Sequence, residues 1–122
     1  MKMVLADTSV WVSHLRDGDS LLGKLLNSGV VACHPFILGE LACGNLRKRS
    51  KILSLLNALP FVKLATHEEV MEFIDLRHLM GKGLGYVDVH LLSSAMLSET
   101  PILTYDRKLS EIAAKLNINH KR

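Results

Sequence analysis

The amino-acid sequence predicts an α/β domain in which a short central parallel sheet is flanked by helices on both faces. Short aliphatic runs, which suit buried strands, alternate along the chain with longer amphipathic runs, which suit helices. The 122 residues are 48% hydrophobic with a single Trp, which is enough for one aliphatic core. We therefore treat residues 1–122 as one domain.

The predicted strands are the short aliphatic runs, each too short for a stable helix. They lie at Lys2–Ala6, Val30–Cys33, Phe61–Leu64 and Ile102–Thr104, with Ile118 as a candidate edge strand.

Seven helices are predicted between and after these strands. Pro35 suits the first turn of one of them, and Thr66 with Glu69 forms a capping-box pattern at the start of another. The glycines of the segment Gly81–Gly85 favour a flexible loop. The predicted helices are Ser9–Arg16, Leu21–Asn27, Pro35–Leu46, one that follows the basic stretch Arg47–Lys51 and ends before Pro60, one that starts after Thr66, Tyr86–Ser98 and Arg107–Leu116.

Composition and charge limit the classes of function. The net charge of +3 and the pI near 9.0 permit a polyanionic partner without requiring one. No secretory signal is recognisable and no apolar run approaches the ~20 residues that span a bilayer, so we expect a soluble cytoplasmic protein. Cys33 and Cys43 lie in apolar runs without metal-ligand or redox spacing, and we expect two buried thiols.

Four carboxylates stand in apolar sequence: Asp7 in V-L-A-D-T-S, Glu40 in F-I-L-G-E-L-A-C-G, Asp88 in G-Y-V-D-V-H-L-L and Asp106 in P-I-L-T-Y-D. An unpaired carboxylate outside water costs several kcal/mol, and two that converge repel each other by about 4 kcal/mol. A divalent cation removes both penalties. An all-oxygen ligand set suits Mg²⁺ or Mn²⁺ rather than zinc.

The predicted elements bring these carboxylates to one place. Asp7 and Asp106 follow parallel strands, whose carboxyl ends share the ligand-binding edge of a sheet. Asp88 and Glu40 lie on apolar helix stripes and are expected to point into the protein. A structural alternative exists, because Asp7 and Asp106 suit helix N-caps and Asp88 suits the first turn of its helix.

Other polar side chains are less informative. The hydroxyls of Ser9 and Thr104, two residues from Asp7 and Asp106 respectively, could orient a carboxylate or a metal-bound water, or could equally form turns and caps. The six histidines, at positions 14, 34, 67, 78, 90 and 120, show no metal-ligand spacing, and we expect them on the surface or in packing roles.

With these four acidic motifs in order, the whole chain resembles a PIN-domain nuclease, and more narrowly the VapC-type toxins of bacterial toxin–antitoxin modules. The resemblance rests on A-D-T-S, L-G-E-L-A, Y-V-D-V-H-L-L and L-T-Y-D-R-K-L. It implies that Asp7 and Asp88 are the principal metal ligands and that Glu40 and Asp106 complete the acidic pocket. The activity implied is a Mg²⁺- or Mn²⁺-dependent endoribonuclease.

The resemblance also implies partners. These are an RNA substrate (tRNA, ribosomal RNA and messenger RNA all being candidates), a VapB-type antitoxin that inserts a basic side chain into the pocket, and a second copy in a homodimer. The basic stretch Arg47–Lys51 would bring the RNA backbone to the acidic pocket. Trp11 and the region Gly81–Leu84 are candidate dimer contacts.

Four alternatives remain open. Two keep the fold: a PIN-fold RNA-processing nuclease outside a toxin module, and a catalytically silent PIN binding module. A phosphatase of the HAD type would need a second acid two residues after Asp7, where the chain has Ser9. A flap-type DNA nuclease is disfavoured by the small size and the lack of further acidic sites.

Overall fold

The protein, described over residues 2–121 by a computed structural model, is built on a parallel sheet. Strand β1 (Val4–Ala6) lies at the centre, between β2 (Val31–Ala32) and β3 (Ile102–Leu103). All residues of the three strands are buried. The predicted α/β class with a short central parallel sheet is therefore confirmed.

The sheet is extended at both edges by single bridges. Cys33 pairs in parallel with Phe61, and Ile102 pairs in parallel with Asn119. The predicted strand Phe61–Leu64 is thus a single bridge, at Phe61. The candidate edge strand at Ile118 is also a single bridge, which lies one residue later, at Asn119.

All seven predicted helices are present in the described residues. Two boundaries differ from the prediction: the helix that begins at Pro35 ends at Ala42 rather than at about Leu46, and the next helix begins at Arg49, inside the basic stretch rather than after it. The guanidinium of Arg49 donates to the carbonyl oxygen of Ala42 through Nε (3.3 Å) and Nη2 (2.9 Å), which satisfies the helix end without another turn. The helices are α1 (Thr8–Asp17), α2 (Ser20–Asn27), α3 (Pro35–Ala42), α4 (Arg49–Asn57), α5 (His67–Arg77), α6 (Tyr86–Leu97) and α7 (Arg107–Lys115).

Helix α6 runs through the interior, since seven consecutive residues from Val89 to Ala95 are buried. Helix α5 packs against it. The predicted capping box at the start of α5 is present, because the Glu69 amide donates to Thr66 Oγ1 and the Thr66 amide donates to Glu69 Oε1. The core therefore fixes α6, and with it the position of the acidic residue in its first turn.

Two expectations about exposure were wrong. Trp11, expected at a dimer contact, is only 4% exposed and belongs to the core. Cys33 is buried as expected, but Cys43 lies exposed just past the end of α3, and both thiols are free. Among residues 2–121, no helix has the length and apolar character needed to cross a membrane.

Candidate active site

Asp7 lies at the carboxyl end of β1 and is held by both neighbouring segments. Its amide donates to the carbonyl oxygen of Leu103 in β3 at 3.0 Å. Its Oδ1 accepts hydrogen bonds from the amide of Ser9 (3.0 Å) and the hydroxyl of Ser9 (2.5 Å), and its Oδ2 accepts from the hydroxyl of Thr104 (2.6 Å). Asp7 is therefore the N-cap of α1, and of the roles considered for these two hydroxyls the structure shows that both donate to the Asp7 carboxylate.

The charge of Asp7 has no cationic partner in the part of the chain that the structure describes. The side chain is only 6% exposed, and burial raises the pKa of Asp7 in spite of the hydrogen bonds from Ser9, Thr104 and the Val10 amide, which act in the opposite direction. Within residues 2–121, no Lys or Arg forms an ion pair with this carboxylate. The site thus holds a desolvated negative charge that hydrogen bonds alone do not offset.

Asp106 is joined to Asp7 through one hydroxyl group. It is the N-cap of α7, where its Oδ1 accepts from the Leu109 amide at 2.9 Å. Its own amide donates to Thr104 Oγ1 at 3.0 Å, while the same hydroxyl donates to Asp7. Asp106 is exposed, unlike Asp7.

Asp88 occupies the first turn of α6 and is half-buried. Its Oδ2 accepts from the Gly85 amide at 3.1 Å. Burial raises the pKa of Asp88, and the negative charges of Asp106 and Glu40 raise it further. That electrostatic effect indicates that these three carboxylates lie near one another at the same end of the molecule.

Glu40 is exposed, so the expectation that it points into the protein was wrong. Ile37 and Leu41 form the buried stripe of α3, and Glu40 lies beside that stripe on the solvent side. Its Oε1 accepts from the hydroxyl of Thr8 at 2.6 Å. Thr8 follows Asp7 directly, so this hydrogen bond holds α3 to the start of α1.

The structure thus brings Asp7, Asp106 and Glu40 together at the carboxyl edge of the sheet, because Asp7 and Asp106 share Thr104 and Glu40 is tied to the residue after Asp7. Asp88 is related to this group through the effect of the Asp106 and Glu40 charges on its pKa. In the described part of the chain, however, no three His, Cys, Asp or Glu side chains already surround a point at metal-binding distance. The four-carboxylate metal site stays a prediction.

The donor set fits a hard divalent cation. Carboxylate and hydroxyl oxygens are the ligands that Mg²⁺ and Mn²⁺ prefer. A cation would offset the uncompensated charge of buried Asp7 and the mutual repulsion that raises the pKa of Asp88. These residues therefore fit the metal that the sequence predicts.

Comparison with known proteins decides the family, because the family profile described as PIN domain matches residues 4–115. The chain belongs to the PIN domain family. Ribonuclease VapC32 of Mycobacterium tuberculosis, in strains CDC 1551 / Oshkosh and ATCC 25618 / H37Rv, is 39% identical over 117 residues, which are 95% of this chain and 94% of the relative. The resemblance to VapC-type PIN domains is therefore confirmed.

The fold of this PIN domain is also found in a distant solved structure. The crystal structure of PAE2754 from Pyrobaculum aerophilum superposes with a TM-score of 0.60 over 95% of this chain and 90% of the other. At 16% sequence identity, the likeness shows the fold alone.

A buried histidine that the sequence did not single out connects two site helices of the PIN domain. His34 is 1% exposed; its Nδ1 accepts from the Phe36 amide at 3.0 Å and caps α3. Its Nε2 lies 3.2 Å from the hydroxyl of Ser94 in α6, which also accepts from the Ala65 amide. His34 thus joins the helix of Glu40 to the helix that begins beside Asp88. The position directly before Pro35, at a predicted helix start, is the sequence signal for such a cap.

A groove of about 620 Å³ opens next to Glu40. Its walls combine apolar side chains from α1 and α3, including Val12 and Leu41, with the basic side chains of Arg16 and Arg47. The groove therefore contains the negative charge of Glu40, the positive charges of Arg16 and Arg47, and an apolar surface.

Proposed function

We propose that this PIN domain is a Mg²⁺- or Mn²⁺-dependent endoribonuclease that acts as the toxin of a toxin–antitoxin pair. The observation that carries the proposal is the buried carboxylate of Asp7, which forms no ion pair among residues 2–121. It is linked to Asp106 through the hydroxyl of Thr104 and to Glu40 through the adjoining Thr8. The 39% identity to a protein named ribonuclease VapC32 supports the same activity.

Asp7 and Asp88 are the residues that would hold the cation most directly, with Glu40 and Asp106 completing the acidic pocket. Bound there, the divalent ion would polarise a phosphodiester oxygen and make water a nucleophile at neutral pH. Ser9 and Thr104 hold the Asp7 carboxylate in a fixed orientation by their hydroxyl donors. Such fixed positioning avoids reorganisation at the moment of reaction.

The two exposed carboxylates have a different role. Glu40 and Asp106 are open to solvent, so either can orient the attacking water or accept its proton. Attack by water on phosphorus leaves a 5′-phosphate and a 3′-hydroxyl. No 2′-hydroxyl nucleophile is needed, in contrast to metal-free ribonucleases.

RNA must reach an acidic pocket that repels its backbone, and the groove beside Glu40 supplies the basic residues. Arg16 and Arg47 line it and can contact phosphates. Arg49, from the same basic stretch, is engaged by the carbonyl oxygen of Ala42 and holds the end of α3 instead. Within the predicted phosphate-binding stretch, Arg47 is therefore the residue that lines the groove, and Arg49 is the one engaged elsewhere.

The same groove supports the proposed antitoxin. A VapB-type peptide would lay apolar residues against Val12 and Leu41 and direct a basic side chain at Glu40, where opposite charges attract. A homodimer and a tRNA, ribosomal or messenger RNA substrate stay part of the proposal, on the family resemblance alone.

Incubation of the purified chain with total cellular RNA tests the activity. We expect cleavage with Mn²⁺ or Mg²⁺, none in EDTA, and new 5′ ends that carry a phosphate. Asp7→Asn and Asp88→Asn should each lose activity by about 10²-fold or more while keeping the helix content by circular dichroism. Asp75→Asn, an exposed carboxylate on α5, is the matched control and should keep full activity.

Three outcomes would contradict the proposal. Full cleavage in EDTA, or 2′,3′-cyclic phosphate ends, would refute the metal-dependent mechanism. Absence of cleavage with every RNA and metal, together with no binding of Mn²⁺ at millimolar concentration, would favour the silent binding module.

A further inference from the structure

A cluster of aromatic and imidazole rings lies at the surface beside the carboxylates; Phe36, His67, Tyr86 and His90 are named here the ring cluster. The ring centroid of His90 lies 4.6 Å from that of Phe36 and 5.0 Å from that of Tyr86, and Tyr86 lies 5.7 Å from His67. The buried His34 closes the inner end of the cluster, 5.1 Å from Phe36.

The outer rings of the cluster are accessible. Phe36 is 36% exposed and Tyr86 is 44% exposed. Their planes meet that of His90 at 61° and 81°, so the contacts are edge-to-face and cover less of each ring than parallel stacking would. A hydrogen bond of 2.7 Å between the Tyr86 hydroxyl and Nδ1 of His67 fixes the phenol ring in this position.

The ring cluster lies next to the carboxylate site. Tyr86 and His90, four residues apart, share one side of α6, and Asp88 lies in the same first turns of that helix on another side. Phe36 precedes Glu40 by four residues in α3, which is about one helical turn of 5.4 Å. Helices α3 and α6 thus present three of the four rings and two of the carboxylates, and α5 supplies His67.

One atom of the cluster lacks a partner among the described residues. Nδ1 of His90 is buried without a hydrogen bond among residues 2–121, and the whole side chain is only 7% exposed. Buried polar atoms are normally paired. Because this atom is enclosed, the exposed rings of Phe36 and Tyr86 are the part of the cluster that a ligand can contact.

We propose that the ring cluster is a base-stacking platform, on which an unpaired nucleobase stacks against Phe36 and Tyr86 while the adjoining phosphate lies at the carboxylates. The inference rests on the proposed nuclease function and adds two residues that contact the RNA, Phe36 and Tyr86. Aromatic side chains bind bases that have left a helical stack, as in single strands, loops and bulges. Stacking on these two rings tolerates different bases, because every base has a π-face.

RNA binding by the full chain in EDTA tests the platform without cleavage. The probes are a single-stranded RNA oligonucleotide and the same oligonucleotide with one abasic nucleotide, placed at each position in turn. Phe36→Leu and Tyr86→Leu keep apolar bulk and remove the ring. We expect each to weaken binding of the intact RNA by about 5- to 100-fold, and to cause no further loss on the RNA that is abasic at the stacked position.

Two controls keep the test specific. Tyr86→Phe retains the ring and should keep the difference between intact and abasic RNA. Phe61→Leu alters a phenylalanine that is 38% exposed and lies outside the ring cluster, and it should bind both RNAs as the wild type does.

The platform is overturned if the leucine variants bind intact RNA with wild-type affinity. It is also overturned if each variant loses the same factor in affinity, relative to the wild type, on every abasic RNA as on the intact RNA. It is also overturned if these variants only shift a monomer–dimer equilibrium in sedimentation, which would assign the rings to self-association. If the protein cleaves RNA but binds intact and abasic RNA equally, the proposed function stands and the stacking platform is refuted. If binding depends on the stacked base but no cleavage occurs, the platform stands and the proposed function is refuted.

Discussion

His34→Asn should remove a pH-dependent part of the stability that the structure assigns to one side chain. The wild-type imidazole is buried and neutral, since Nδ1 accepts from the Phe36 amide and a protonated Nδ1 has no lone pair to do so. Asparagine is also a preferred N-cap residue, so the variant can keep the start of α3. The asparagine side chain does not titrate, and it is too short to reach Ser94 as the imidazole does.

The magnitude follows from the pKa. Burial, with a smaller contribution from His90, lowers the pKa of His34 from 6.5 to about 4. Between these values the unfolded chain binds more protons than the folded chain, so the free energy of unfolding falls as the pH falls. The full loss is about 3 kcal/mol below pH 4, of which about 2 kcal/mol is lost between pH 8 and pH 5.

Urea unfolding in EDTA at pH 8 and pH 5 measures this loss. His90, whose pKa burial also lowers, adds to it, whereas Asp7 and Asp88, whose pKa values are raised, gain stability as the pH falls. These groups are common to both proteins, so the difference between wild type and His34→Asn isolates His34. His78→Asn, an exposed position with φ of 53° that asparagine tolerates, is the control.

The reasoning is refuted if His34→Asn loses as much stability between the two pH values as the wild type. It would also fail if the control removed the same pH dependence.

Four further outcomes are expected. Thr104→Val leaves Oδ2 of Asp7 buried without its donor and should cost about 1–3 kcal/mol in urea unfolding, whereas Thr104→Ser should not; equal losses would contradict the network. Asp7→Asn should unfold at higher urea than the wild type in EDTA at pH 7, because it removes a buried charge; a lower midpoint would argue against it. Mn²⁺ at 100 times its Kd should stabilise the wild type by about 2.7 kcal/mol and Asp88→Asn by much less. Arg47→Gln should reduce the slope of log affinity for single-stranded RNA against log salt by about 0.7, and an unchanged slope would remove Arg47 from RNA binding.

The order of the elements could be predicted from the sequence because each is encoded locally. The aliphatic run before Asp7 and the amphipathic run after Thr66 carry their own periodicity and caps. The end of α3 could not be predicted in this way. It depends on Arg49, seven residues further on, whose guanidinium binds the carbonyl oxygen of Ala42. The length of the predicted strand at Phe61 could not be predicted either, because it depends on pairing with Cys33, which supplies only one bridge.

For the candidate site, the sequence identified the four carboxylates but did not predict the burial or exposure of all of them. The burial of Asp7 was predictable from the strand that precedes it, and α/β topology places the carboxyl ends of β1 and β3 at one edge. The exposure of Glu40 and the burial of Trp11 were not. An apolar stripe indicates which residues seek the interior, but the side of a helix that a neighbour covers is set by tertiary packing.

Capping and metal binding, which the sequence presents as alternatives for the three aspartates, are compatible in this structure. A carboxylate has about four acceptor positions, and each cap uses only some of them. In Asp106 the capping bond is made by Oδ1, and in Asp88 the bond from Gly85 is made by Oδ2, so a second oxygen remains in each. Asp7 caps through Oδ1 and holds Oδ2 toward Thr104.

The caps also contribute to the electrostatics of the site. Helices α1, α6 and α7 each begin at one of these aspartates or one turn before it, and the positive end of a helix dipole stabilises a nearby negative charge. The backbone therefore fixes the orientation of each carboxylate and partly offsets the charge that must be held for a cation. For this reason an Asp that is needed at a helix start is a favourable place from which to build a metal ligand, and a capping role observed for Asp7 is no argument against a catalytic one.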